Sequence, residues 1–111
     1  MRKREFLGQH DLMVMLAVLR LGREAYGVPI AAEIAERTGR EMLQGSVYAV
    51  LDRLETKGLV VSRLGEATPE RGGRAKRYFR LTAEGVRQVR EAQQALESLW
   101  VRLPQTKGSK P

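Results

Sequence analysis

A chain of 111 residues with no cysteine and a single histidine is one domain without disulfides, thiolate metal sites or, on His10 alone, a zinc site. Its longest apolar run, Leu12 to Leu19, is far short of the ~20 residues a membrane-spanning helix needs, and no cleavable small-residue site follows Arg2, Lys3 and Arg4. A cytoplasmic protein without a metal or other cofactor is expected. The net charge of +7 is segregated: residues 1–5 carry +2, residues 59–81 carry +4 and residues 102–111 carry +3, with −1 in each of the two stretches between. Mixed signs are the rule on a merely solvated surface, so this pattern points to a polyanion met at defined places. Nucleic acid fits better than an acidic membrane, because no basic amphipathic helix carries the charge.

The first element is a helix from Leu12 to Leu21, apolar on nearly every side, with Asp11 as its N-cap and Gly22 at its C-terminus. Its own domain can cover one face; Leu12, Met15 and Leu19 are expected to meet a second subunit. A second helix starts near Pro29 and ends at Thr38-Gly39, with Ile30, Ala31, Ile34 and Ala35 on its inner side. The third opens at Gly45-Ser46, with Ser46 as N-cap, and closes at Lys57-Gly58. Val47, Val50, Leu51 and Leu54 fall at i, i+3, i+4 and i+7, so they form its buried stripe. That leaves Ser46, Tyr48, Ala49, Asp52, Arg53 and Thr56 outside.

A short β-branched run, Leu59 to Leu64, is expected to be a strand; Gly65 to Ala75 a loop; and Lys76 to Leu81 the returning strand, with Tyr78 and Phe79 breaking strict alternation. Thr82 caps a final helix that runs to about Leu103, before Pro104. In that helix Val86, Val89, Gln93, Leu96, Trp100 and Leu103 are spaced 3, 4, 3, 4, 3, a heptad seam with one polar position. The seam suits a homodimer, although a helix folded back on its own domain has the same pattern. The fold class is mainly α with a small β-hairpin: a winged helix-turn-helix with one long C-terminal helix. Its parts are a basic arm at 1–8, the winged domain at 9–81, the dimerisation helix at 82–103 and a disordered basic tail at 104–111.

A helix fits the major groove and reads base edges with its N-terminal residues. Ser46 and Ala49 are small enough for close approach, while Tyr48 and Arg53 can reach phosphate. Beside it, Arg74, Lys76 and Arg77 follow the Gly72-Gly73 pair and can track the backbone or enter the minor groove. The plainer alternatives are an amphipathic helix whose tyrosine half-packs on a neighbour and a turn made basic for solubility. No Gly-Lys-Ser/Thr follows the glycines, so a nucleotide loop is excluded. Nor does any catalytic constellation occur. A different class of function, a winged-helix module binding an acidic partner protein, stays open at this point.

The segments Gly45-Ser-Val-Tyr-Ala-Val-Leu-Asp-Arg-Leu-Glu-Thr-Lys-Gly-Leu59 and Gly73-Arg-Ala-Lys-Arg-Tyr-Phe-Arg-Leu-Thr-Ala-Glu-Gly85 resemble the recognition helix and the wing of PadR-family transcriptional regulators. Tyr26-Gly27 matches a pair the family commonly carries before its second helix, and the resemblance spans about residues 9–103. It implies a homodimer joined through the C-terminal helix that binds pseudo-palindromic double-stranded DNA and usually represses. It also implies a small aromatic effector at the dimer interface, for which Trp100 and Met15 are the candidates. Two departures, Phe79 in place of a second tyrosine and Ala75 in place of a cation, are expected to alter phosphate contacts.

Overall fold

The computed structural model describes residues 7–67, 75–104 and 107–111, leaving the side chains of residues 66 and 67 aside. In chain order it contains helix α1 (Gln9–Leu21), a 3-10 turn (Gly22–Glu24), α2 (Gly27–Thr38), α3 (Gln44–Thr56), strands β1 (Val60–Ala67) and β2 (Ala75–Leu81), and helix α4 (Ala83–Trp100). The winged helix-turn-helix expected from the sequence is therefore present, and among the described residues no helix is long and apolar enough to cross a membrane.

α1 is the centre of the domain: α2, α3, β2 and α4 all pack against it. Val14, Met15, Ala17 and Val18 are buried beneath Ile30 and Ile34 of α2, Val47, Leu51 and Leu54 of α3, and Phe79 of β2. Each large side chain so buried stabilises the fold by about 1.5–3 kcal/mol. α1 starts earlier than its sequence pattern indicates. Gly8 is the N-cap, and Asp11 lies in the first turn as a buried side chain rather than a cap. Gly22 and Gly39 end α1 and α2 as expected, their backbone N–H groups bonding Val18 and Ala35 carbonyls. Glu33 ties these two helices together, accepting from Arg20 at 2.9 Å and from Arg37 at 3.0 Å. Those bonds, from Arg20 first, hold its carboxyl below the usual range against opposing desolvation.

The hairpin is antiparallel, pairing Val60 with Leu81, Ser62 with Phe79, Arg63 with Tyr78 and Leu64 with Arg77, with an irregularity between Leu64 and Ala67. Both strands extend further into the expected loop than local composition indicates. On its other edge β2 takes a partner not foreseen: the Phe79 N–H donates to the Ala25 carbonyl at 2.8 Å. The Tyr78-Phe79 break in alternation is resolved by opposite faces. Phe79 enters the core, while Tyr78 stays half-buried outside with Tyr26 edge-on at 5.4 Å.

α4 is joined to the end of α3 by a set of short contacts. The Thr82 hydroxyl accepts from the Gly85 N–H at 3.0 Å and donates to the Gly58 carbonyl at 2.8 Å, and the Thr82 N–H bonds the Leu59 carbonyl. Gly85 sits so close to Leu59 that a Cβ there would overlap its carbonyl oxygen. Val89 still packs in the core, and from Gln93 onward α4 leaves the body. The radius of gyration is 16.7 Å, against about 13 Å for a compact chain of this length.

Candidate nucleic-acid interface

α3 begins at Gln44, with Leu43 before it and no capping side chain, two residues ahead of the expected Ser46 cap. The first intrahelical donor is the Val47 N–H, bonded to the Leu43 carbonyl at 3.0 Å. The N–H groups of Gln44, Gly45 and Ser46 therefore point out of the helix start, the arrangement that takes up an anion at a helix N-terminus. Gln44, Gly45, Ser46 and Ala49 are all exposed. Gln44 was missed in the sequence because Leu43 gives no capping signal; its amide has the donor and acceptor needed to read adenine.

Tyr48 is only half outside. Its hydroxyl end lies against Gly27, where any Cβ would collide with the ring, so Tyr48 packs on the start of α2. The Tyr26-Gly27 pair thus has a steric reason: Gly27 admits Tyr48, and Tyr26 supports Tyr78. Two of the expected phosphate ligands are engaged elsewhere. Arg53 pairs through its terminal nitrogen with Asp11, whose side chain is only 8% exposed. Arg77 donates Nε–H to the Ser62 hydroxyl at 3.1 Å, pairs with Glu55 and reaches Asp52 at 3.4 Å. Burying a carboxylate such as Asp11 without its partner is strongly unfavourable, so Arg53 is a structural residue first. Arg53 and Arg77, both expected to neutralise phosphates, thus each hold a carboxylate within the chain while their side chains stay part-exposed.

Lys76, Tyr78 and Arg80 alternate along the outer face of β2, and Arg63 joins them from β1. Arg63 lies 4.6 Å from the Tyr78 ring centroid and Lys76 4.7 Å from that of Tyr26, so cations and rings interleave across the wing. Arg63 has no carboxylate partner among the described residues and was overlooked because its strand looked simply β-branched. Arg74 lies outside the described residues, as does the basic arm at Arg2, Lys3 and Arg4. Phe79 is buried, with the Arg77 guanidinium 5.0 Å from its ring centre. Replacing a tyrosine there alters the core, not a phosphate contact; Ala75 is exposed at the start of β2.

The expected dimer residues separate into two sets. Met15 is completely buried and Val89 nearly so, both within this chain's own core, and they have no surface to offer a partner or an effector. Their apolar helical spacing was right; its destination was the domain interior. Leu12 and Val86 are half-buried, and Leu19 is exposed. Gln93, bonded to Glu97 at 3.2 Å, begins a stretch of α4 in which every residue to Trp100 is exposed. Leu96, Leu99 and Trp100 are 63%, 75% and 70% exposed. The helix ends at Trp100, with Val101 extended, so Leu103 is not on the helical seam. A groove of about 670 Å³ lies instead between the end of α1 and the hairpin, bordered by Leu19, Arg23, Val61, Arg63, Tyr78 and Arg80. Neither Trp100 nor Met15 lines it.

Residues 15–91 match the model of the transcriptional regulator PadR-like family. The fold is similar to the crystal structure of a PadR family transcription regulator from hypervirulent Clostridium difficile R20291, with a TM-score of 0.71, 26% identity, and coverage of 84% of this chain and 92% of that one. A PadR family transcriptional regulator from Eggerthella lenta DSM 2243 superimposes with a TM-score of 0.64 at 31% identity, covering 79% of this chain and 74% of the other. In sequence, an uncharacterized protein of Lysinibacillus sphaericus is 31% identical over 80 residues, 70% of this chain and 69% of that protein.

Proposed function

The chain belongs to the PadR-like family of transcriptional regulators, and from that premise we propose that it is a homodimeric repressor of pseudo-palindromic double-stranded DNA. The observation that carries the reading is the start of α3, exposed from Gln44 to Ser46 with its N–H groups directed outward beside a basic hairpin. Gln44, Ser46 and Ala49 read base edges in the major groove, and Tyr48 contributes from its packed position. Lys76, Arg63 and Arg80 on the wing, together with Arg74, follow phosphates. A second copy pairs along the bare outer half of α4, with Leu96 and Trp100 as anchors, and holds two α3 helices about one turn, ~34 Å, apart. A flat aromatic effector releases the DNA by stacking on Trp100 at that seam.

Selection of bound sequences from random duplex DNA tests this directly. The expected product is an inverted repeat with half-sites ~10 base pairs apart, centre to centre. Arg74→Ala then weakens binding to all duplexes alike and lowers the salt dependence by about one counterion. Recovery of no duplex at low salt overturns the reading in favour of a module for an acidic protein partner.

A further inference from the structure

We propose that Arg77 is a positioning residue, which locks the hairpin to α3 and masks two carboxylates on the DNA-facing side without itself touching phosphate. This rests on the reading that α3 and the hairpin together bind duplex DNA. The geometry is a closed ring of polar contacts. One Glu55 oxygen takes the Arg77 terminal nitrogen, and the other accepts from the Ser62 hydroxyl at 2.7 Å. Ser62 in turn accepts the Arg77 Nε–H at 3.1 Å. The remaining guanidinium nitrogen reaches Asp52 at 3.4 Å, and the plane lies over Phe79, which is in the core. Three elements are thereby held by one side chain: α3 through Asp52 and Glu55, β1 through Ser62 and β2 through Arg77 itself.

Two properties follow from the planar fork. A guanidinium presents its donors in fixed directions, so it sets an angle between its partners in a way a flexible ammonium does not. Satisfying both Glu55 oxygens and Ser62 at once therefore fixes the wing relative to α3. The charge balance matters as well. Asp52 and Glu55 are successive anions on the polar side of α3, and without Arg77 they would present −2 beside an approaching phosphate backbone. With it the cluster carries −1, and each of the three guanidinium nitrogens has an acceptor within the chain.

The test is a double-mutant cycle on the full chain, read as affinity and salt dependence on the selected operator, with a melting curve for each variant. Arg77→Ala is expected to weaken binding about tenfold while lowering the slope of log affinity against log salt by well under one. Glu55→Gln alone weakens binding about threefold, because the ring loses its charged acceptor. Combined, Arg77→Ala/Glu55→Gln binds more tightly than Arg77→Ala, since the unmasked charge is gone. The Glu55 charge thus helps with Arg77 present and harms with it absent, a reversal of sign that two independent contacts cannot give. A direct phosphate contact predicts otherwise: Arg77→Ala lowers the salt slope by about one, and Glu55→Gln tightens binding by the same factor in both backgrounds. Either of those results overturns the proposal. Should Arg77→Ala fail to fold, the direction of the Glu55→Gln change decides, because tighter binding there is incompatible with a supporting carboxylate. If the unaltered chain binds no duplex, the parent reading falls and this proposal with it.

Discussion

Within α3 the four apolar stripe residues Val47, Val50, Leu51 and Leu54 are all buried, and both arginines expected to face DNA from α3 and β2 are paired with carboxylates. At the outer end of α4 the arrangement is reversed: among the described residues Leu96, Leu99, Trp100 and Val101 are exposed. The first region is complete in a single chain. Its polar surface is ordered by interactions that need no partner, so its shape is set before DNA arrives. The second region presents an exposed apolar strip, the kind of surface that marks an interaction site. The two regions therefore respond to different perturbations, and a substitution in one can be separated from a substitution in the other by what it leaves intact.

The largest expected effect belongs to the finished region. Leu51→Ala empties a fully buried position among α1, α2 and α3 and is expected to lower unfolding free energy by about 2–5 kcal/mol in chemical denaturation. Gly85→Ala should come next, at about 1–3 kcal/mol, because the new methyl meets the rigid Leu59 carbonyl instead of a movable side chain. It probes the junction between the regions. If α4 carries the second copy, Gly85→Ala should reduce DNA binding more than its stability loss alone explains, since it tilts the helix that sets half-site spacing. Equal losses in both would mean that the junction transmits nothing.

A smaller effect on the fold, but a decisive one on assembly, is expected at the outer end. Leu96→Glu removes an exposed apolar anchor, so the monomer's melting curve should hardly change. In sedimentation the dimer constant should weaken tenfold or more, roughly 1.4 kcal/mol. Trp100 is the single tryptophan and supplies an internal reporter: its emission should shift to the blue with increasing protein concentration in the unaltered chain, and not in Leu96→Glu. A concentration-independent spectrum in the unaltered chain would leave the seam without a partner.

How much of this was legible beforehand differs between the regions for a physical reason. Helical periodicity located the buried stripe of α3, and Thr82 was recognisable as a cap because capping is a local interaction over three residues. Periodicity marks an apolar face, but it does not say what covers that face. Val89 belongs to the same heptad seam as Leu96 and Trp100, yet the first is core and the other two are bare. The ion pairs of Arg53 and Arg77 were not legible for a related reason. Their carboxylate partners stand 42 and 22 residues away in the chain, so only the folded arrangement brings them together. The same holds for the Tyr48–Gly27 contact, which turns an exposed-looking tyrosine into a packed one.

The smallest expected effect distinguishes the anchored end of α4 from its free end by pH. Hydrogen bonding from Arg87, assisted by Gln88, holds the Glu84 carboxyl well below the usual carboxylate range, down to about 2, and Arg87 is shifted upward in return. A carboxyl with a depressed folded value binds fewer protons in the native state than in the unfolded one between about 4.5 and 2. Its stabilisation is accordingly complete above that window and disappears as pH falls through it. Glu84→Gln should therefore melt slightly below the unaltered chain at pH 7, with the difference shrinking towards zero near pH 2. Because both side chains are exposed to solvent, salt should shrink the same difference at neutral pH. Association through Trp100, some four turns further along α4, should show neither dependence on Glu84. If Glu84→Gln also moved the concentration at which Trp100 emission shifts, the two ends of α4 would be one cooperative unit, and the division between a finished domain and an unfinished helix would have to be drawn elsewhere.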